Sequence, residues 1–333
     1  MSAFDSLQYA TVPLRPIDMD AISIQRGPYC MSFGYDETRL VRSIEKVGLL
    51  NPPSLSENTT GGFDVVSGYR RIEAAHFLGW EKIFCRDLTD LKMTTLDLLL
   101  LNLHDNLSTR SFNEIEKAMV LKRLSAHVSH EKLIKDYMPL LGLSPYEPIL
   151  RTYLLFEELE EPVKGGLAQG TLSAQAARLL LDLDVPSRLA IYECTFNLKL
   201  NYNYQKQLIE YLVEISEIEN RSIHEILSRE PLAEILRKEP PNSPQKAKLL
   251  LGVLRAMRNP RVADAERRFQ HQLSFIHLPP GARINHPPFF EEASFTLEIS
   301  FKDGKTLKEK ILQISKTEGI ENIQTPWLKQ DDK

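Results

Sequence analysis

The chain has 333 residues, 42% of them hydrophobic and 26% charged, a mix that fills folded cores and argues against wholesale disorder. Its 41 Lys and Arg against 45 Asp and Glu give a net charge of −4, which excludes a wholly basic nucleic-acid coat but not a local basic patch. Three scattered cysteines, Cys30, Cys85 and Cys194, fit neither a disulfide scaffold nor a zinc cluster, and at roughly 150 residues per domain the length predicts two or three domains.

In chain order, Tyr9 to Leu14 reads as a short strand. Asp36 caps a helix with the apolar stripe Leu40, Val41, Ile44 and Val47, which Gly48 stops. After Asn51-Pro52-Pro53 comes a polar turn, and Phe63 to Val66 reads as a strand broken by Ser67-Gly68. A helix follows from about Tyr69 to Leu78, and Ile83 to Cys85 is a further strand; together these predict a small α+β domain. From Thr94 to Leu236 the pattern turns helical, with Asn113 and Glu116 spaced as a capping box. Short helices punctuated by Pro139, Gly142, Pro145, Pro148, Pro162 and Gly165-Gly166 have the look of a helix-turn-helix region. The polar, Pro-rich RKEPPNSPQK reads as a linker. Lys248 to Phe275 is helical, Phe295 to Phe301 is a half-exposed strand with a plausible free edge, and Thr306 to Ile314 is a helix, so the C-terminal part is a small α+β unit. No apolar run approaches the ~18 residues of a membrane span, and the first residues lack the pattern of a secretory signal.

The densest chemical signal is VVSGYRRIEAAHFLGW, Val65 to Trp80. A strand ends in Ser67-Gly68 and a helix opens at once on Arg70-Arg71. Helix starts leave N–H groups unpaired, Gly lets an anion approach the backbone, and guanidinium groups offer forked donors, so the corner has the parts of a phosphate cradle. The plain alternative is a turn followed by a solvated basic helix.

This segment and two others resemble, in order, the boxes of the ParB family of chromosome and plasmid partition proteins. LVRSIEKVGLLNPPSL, Leu40 to Leu55, is similar to the family's helix followed by Gly-x-x-Gln-Pro. SGYRRIEAAHFLGWEKIFCRDL, Ser67 to Leu88, is similar to its Gly-Glu-Arg-Arg box. DNLSTRSFNEIEKAMVLKRL, Asp105 to Leu124, is similar to its Glu-Asn box. Residues 142 to 183 resemble its helix-turn-helix region, so the likeness spans roughly residues 9 to 185. The resemblance implies an α+β ParB/sulfiredoxin-like nucleotide-binding domain over residues 1–92. An all-α helix-turn-helix domain would cover 93–238, a linker 239–247, and a small α+β dimerisation or accessory unit 248–333.

It further implies a CTP-dependent DNA clamp that binds CTP with Mg2+ and closes as a homodimer. Such a protein is cytoplasmic and nucleoid-associated, works beside a partition ATPase and hydrolyses its nucleotide slowly. Carried over by position, Ser67, Gly68, Tyr69, Arg70, Arg71 and Asn106 would hold the nucleotide, Asp105 the metal, and Asn51 would stand at the catalytic position. The departures are specific. Asn51 replaces Gln, Tyr69 replaces the acidic residue of the arginine box, Asp105 is one methylene shorter than Glu, and Arg110 falls one place late. Sulfiredoxin sets a catalytic Cys where this chain has Tyr69.

DNA contact is the weaker signal. Residues 125 to 185 carry five positive and nine negative charges, a poor phosphate footprint, with Tyr146, Arg151 and Thr152 as the readers on the expected recognition helix. Residues 241 to 275 carry seven positive and two negative charges, with Arg255, Arg258, Arg261, Arg267 and Arg268 as phosphate-gripping candidates. The competing reading of these arginines is pairing with acidic groups. A second reading of the whole chain is a non-enzymatic regulatory or scaffold protein that keeps the fold and binds a protein partner, or DNA without sequence specificity.

Overall fold

In the computed structural model the chain divides into two compact units, residues 1–209 with 241–247 and residues 210–240 with 248–333. The structure describes Tyr9 and residues 11–237, 243–292 and 294–325. The first unit opens on a four-stranded sheet of β1 (Leu14–Asp18), β2 (Ser54–Glu57), β3 (Phe63–Ser67) and β4 (Lys82–Asp87), in the order β1-β4-β2-β3. β4 pairs antiparallel with β1 and parallel with β2, and β2 closes an antiparallel hairpin with β3. Asn58 shapes that hairpin's turn: its side-chain oxygen accepts from the N–H groups of Thr60 and Gly62, both at 3.0 Å.

Helix α1 (Thr38–Val47) starts where Asp36 Oδ1 accepts from Thr38 N–H at 2.9 Å and stops at Gly48, whose φ of +73° favours glycine. Helix α2 (Tyr69–Phe77) leaves directly from β3 and buries Ile72, Ala74 and Ala75. Helices α3 (Thr95–Thr109) and α4 (Glu114–Ser125) both begin with complete capping boxes, Thr94 with Asp97 and Asn113 with Glu116. Leu98 of α3 joins Val66 of β3 and Leu88 in one apolar cluster, which fixes α3 beside the end of β3. Short helices follow: α5 (Glu147–Phe156), α6 (Glu161–Gln169), α7 (Ala174–Leu180) and α8 (Val185–Asn197). Arg188 of α8 grips Glu160, the residue capping α6, through Nη2 at 2.6 Å and Nε at 3.0 Å.

In the second unit, α9 (Pro260–Ser274) lays Phe269 against Phe290 and Phe295, stacked on the latter at 5.4 Å between centroids. Strands β5 (Ala282–Asn285) and β6 (Thr296–Ile299) pair antiparallel, with Arg283 and Glu298 bridging them, and α10 (Gly304–Ile314) follows.

Several sequence expectations need correction. Tyr9 and Thr11 are helical and the first strand starts only at Leu14, where pairing with Arg86 of β4 becomes available. β2 lies where the sequence analysis names no element before the polar turn, because SLSE carries little strand signal; its buried Ser54 and Leu55 are set by neighbouring strands. The expected helix from Lys248 to Phe275 is two helices, Ser243–Arg258 and α9, separated at Asn259-Pro260, since a proline rejects helical geometry in the residue before it and suits a helix start. Of the expected linker 239–247, residues 239–242 lie outside the described residues, and from Ser243 on it is helix, not linker.

Candidate functional site

The end of β3, the start of α2 and the far half of α3 surround a cleft of about 450 Å³ in the first unit. Ser67 ends the strand buried, and Gly68 turns the chain in the left-handed region, φ +89° and ψ 26°, to become the N-cap of α2. A side chain there would be doubly penalised. Its Cβ would stand 2.8 Å from Pro53 Cβ and 2.9 Å from Arg71 Nε. Gly68 and the first turn of α2, Tyr69 to Arg71, thus line the cleft. Asn51, Ser67, Gly68, Tyr69, Arg70, Arg71, Asp105 and Asn106 all line this one cavity, although residue 92 was the expected domain boundary.

These residues are not equally free. Arg71 Nη1 donates to the carbonyls of Asn51 at 2.6 Å and Pro52 at 3.4 Å, and Nη2 lies 3.5 Å from Asp105 Oδ2. Burial lowers the Arg71 pKa, and Asp105 opposes that shift. The Ser67 hydroxyl donates to the same Asp105 carboxylate. Arg70 differs: its guanidinium lies 4.2 Å above the Tyr35 ring, and its Nε is buried without a hydrogen-bond partner. Tyr69 is buried, and its hydroxyl donates to the Ile24 carbonyl, so it ties down the preceding loop.

The opposite wall is the segment Cys30–Ser32, which sequence reasoning did not find. Arg110 holds it: Nη2 donates to the Met31 carbonyl and the Ser32 hydroxyl, each at 3.2 Å, while Nη1 meets the buried Glu116 at 2.5 Å and Nε meets Asn106 at 2.9 Å. Asn102 donates to the Tyr29 carbonyl and accepts from Asn106. Arg86, on β4, also lines the cleft and was missed; one arginine in a short strand carries no positional signal of its own.

The lining holds four guanidinium groups, Arg70, Arg71, Arg86 and Arg110, against one carboxylate, Asp105. That imbalance suits an anion. No group of three or more His, Cys, Asp or Glu residues suited to a metal occurs among the described residues. Asp105 fits only the part a magnesium ion asks of a protein when phosphate oxygens and water supply the rest. Burial raises the thiol pKa of Cys30, and that of Cys85 to about 12, so neither thiol is poised as a nucleophile.

The expected DNA readers are placed less favourably. Tyr146 is exposed just before α5, but Arg151 Nε donates to Glu147 at 2.9 Å and the Thr152 hydroxyl to the Pro148 carbonyl at 2.9 Å. Arg255 pairs with Glu266 at 2.9 Å, Arg258 with Glu214, and Arg267 with Asp264. Arg261 and Arg268 are exposed. No helix among the described residues is long and apolar enough to cross a membrane.

The corner, its two arginines and the α3 carboxylate line one cleft of this α+β domain, and residues 4–100 match the family described as ParB N-terminal domain. The chain carries this matched domain near its start, and the match does not extend past residue 100. It is similar to Stage 0 sporulation protein J of Bacillus subtilis, 27% identical over 225 residues, covering 65% of this chain and 73% of that protein. It is also similar to the Nucleoid occlusion protein of Bacillus thuringiensis, 22% identical over 221 residues, covering 64% and 72%. Two solved structures match at low similarity, both of the C-terminally truncated chromosome-partitioning protein ParB from Caulobacter crescentus. The complex with CTP-gamma-S is 20% identical, covers 55% of this chain and 98% of that one, and has a TM-score of 0.27. The complex with the centromeric parS site is 19% identical, covers 59% and 98%, and has a TM-score of 0.32.

Proposed function

We propose that the cleft binds CTP with Mg2+ and that the protein is a nucleotide-gated, DNA-associated factor of the partition type. The observation that carries this reading is the charge imbalance of the cleft, with Arg70 Nε buried and unmatched at its helix start. An anionic ligand in the cleft would meet that surplus of guanidinium charge. Ser67, Gly68 and the first turn of α2 would seat the phosphates, Arg70 and Arg71 would neutralise them, and Asn106 would line the same seat. Asp105 would turn from Arg71 towards a phosphate-bound magnesium, which would supply charge neutralisation.

Asn51 presents its carbonyl to Arg71, so a water-positioning role would rest on its exposed side chain. Nucleotide-driven homodimer closure on DNA at the nucleoid, beside a partition ATPase, completes the proposal. The domain division at 92, 238 and 247 belongs to the same reading, with the cleft drawing on both sides of position 92. For DNA, the exposed Arg261, Arg268 and Tyr146 are the better candidates; Arg151, Thr152, Arg255, Arg258 and Arg267 would first give up internal partners.

Titration of CTP, ATP and GTP with magnesium into wild type and the Arg70→Ala/Arg71→Ala double variant tests the nucleotide site. Saturable CTP binding lost in the variant supports it, and absence of binding to any nucleotide refutes it. Phosphate release separates a hydrolase from a binder. DNA affinity should fall steeply with salt and depend little on sequence. The ion pairing of Arg71, Arg255, Arg258 and Arg267 favours a second reading, a non-enzymatic scaffold that hydrolyses nothing.

A further inference from the structure

A third guanidinium stands at the phosphate end of the cleft, on a strand rather than in the corner between β3 and α2. Arg86 lies on β4, where the register sets it against Leu14 on one side and Ser54 on the other. Its backbone N–H donates to the Pro53 carbonyl at 2.9 Å. Pro53 is also the residue that a side chain at Gly68 would strike, and Arg71 reaches the carbonyls of Asn51 and Pro52 immediately before it. Arg86 and Arg71 thus share one short stretch of chain as their common support. The two charges feel each other: Arg86 is among the groups that lower the pKa of Arg71.

Among the described residues no carboxylate pairs with the Arg86 guanidinium. Its Nε is buried with no hydrogen-bond partner, and its nearest aromatic contact, the Tyr9 ring, is 5.7 Å from Cζ. Asp105, the cleft's one lining carboxylate, is engaged by Arg71 and Ser67. Two like charges lining one cleft are unfavourable until an anion stands between them. A phosphate group has the charge and the several acceptor oxygens to do so, and a guanidinium is the side chain whose forked donors match it.

We infer that Arg86 is a third phosphate-binding residue of this cleft, acting with Arg71 on the same end of a polyphosphate. The inference rests on reading the cleft as a nucleotide site and assigns part of its affinity to a residue outside the Gly68 corner.

The test uses the full chain as wild type, Arg86→Gln and Arg86→Lys. Each is titrated calorimetrically with magnesium-CTP and with inorganic tripolyphosphate, and each is melted without ligand. Arg86→Gln should bind both ligands at least tenfold more weakly, and Arg86→Lys, which keeps the charge but not the fork, should fall between. Without ligand, Arg86→Gln should melt no lower than wild type, because the substitution removes a repulsion and an unmade donor. A residue with a merely structural role would instead lower the melting temperature. Wild-type affinity in Arg86→Gln overturns the inference and leaves the nucleotide site standing. A weaker affinity accompanied by a lower ligand-free melting temperature in both variants also overturns it. If wild type binds neither ligand, the nucleotide reading itself fails, and this inference with it.

Discussion

Replacing Gly68 with alanine tests the corner most directly, because the structure separates its cost into two parts. The first is backbone: a φ of +89° is left-handed, and an L-residue there loses roughly 1–2 kcal/mol. The second is space. The new methyl would sit 2.8 Å from Pro53 Cβ, 2.9 Å from Arg71 Nε and 3.0 Å from Arg71 Cζ. Neither neighbour yields easily: Pro53 is buried, and Arg71 is held at its tip by Asn51, Pro52 and Asp105. Forcing a methyl into such packing costs about 1–3 kcal/mol more. Gly68→Ala should therefore lose about 2–5 kcal/mol, a drop of roughly 5–15 °C in the melting temperature of a unit this size. Gly142→Ala is the control, since Gly142 has a φ of +70° but nothing within 4 Å of the added Cβ, so it pays only the backbone part. Both variants are melted by circular dichroism and unfolded in urea. If the two lose the same stability, the close approach of Pro53 and Arg71 is not what keeps position 68 bare, and the geometric account of the corner is wrong.

Three further outcomes follow from the same contacts. Glu116→Ala removes a buried carboxylate that caps α4 and meets Arg110 at 2.5 Å; the loss should be about 3–5 kcal/mol by urea unfolding, and a loss below ~1 would mean the pair is not structural. Arg188→Ala breaks the doubly bonded pair with Glu160, both side chains largely buried, and should cost about 2–3 kcal/mol in the same assay, with Arg188→Lys recovering only part because the fork is lost. Glu37 has its pKa pushed up from 4.5 to about 7 by burial, then by the neighbouring Glu73, with Arg70 acting in the opposite sense. A carboxyl that holds its proton more tightly when folded contributes stability below about pH 4.5 that is lost as pH rises through about 7, so wild type should lose more melting temperature than Glu37→Gln between pH 5 and pH 8. Equal losses would contradict that assignment.

What the sequence revealed and what it hid divide along physical lines. The corner was legible because its causes are local: a short apolar run, two small residues, then two arginines opening a helix. The capping box of Asn113 with Glu116 is likewise spelled out within four residues. β2 was not legible, because SLSE has no alternation of its own and becomes a strand through its partners on both sides. Arg86 and the wall Cys30–Ser32 were hidden for the same reason. Their place in the cleft comes from contacts across the sheet and from Arg110, about 80 residues further along the chain. Residue type alone could not say that Arg71 would be shared with Asp105 while Arg70 would not. That difference depends on which guanidinium faces α3.

The Cys30–Ser32 wall matters because its other side is not solvent. Phe33, next in the chain, donates its N–H to Glu116 of α4 at 3.2 Å, and its carbonyl accepts from Asn113 at 2.8 Å. Lys164 of α6 lies 5.8 Å from the centroid of the Phe33 ring, and a Cβ on Gly34 would stand 2.7 Å from Ala168 Cβ, so the backbone here touches α6 with no room to spare. One face of this loop therefore borders the cleft while the other is packed on the helices of the predicted helix-turn-helix region. Tight packing of this kind transmits displacement instead of absorbing it. An occupant that draws Arg110 away from Met31 and Ser32 would loosen the same side chain's hold on Glu116, and with it the cap of α4. Glu116→Ala should for that reason tighten anion binding while it lowers stability, because a contact that binding loosens opposes binding, although Glu116 does not line the cleft. Titration of magnesium-CTP at a temperature where the variant is fully folded measures this; unchanged affinity would mean that an occupant does not draw on Arg110.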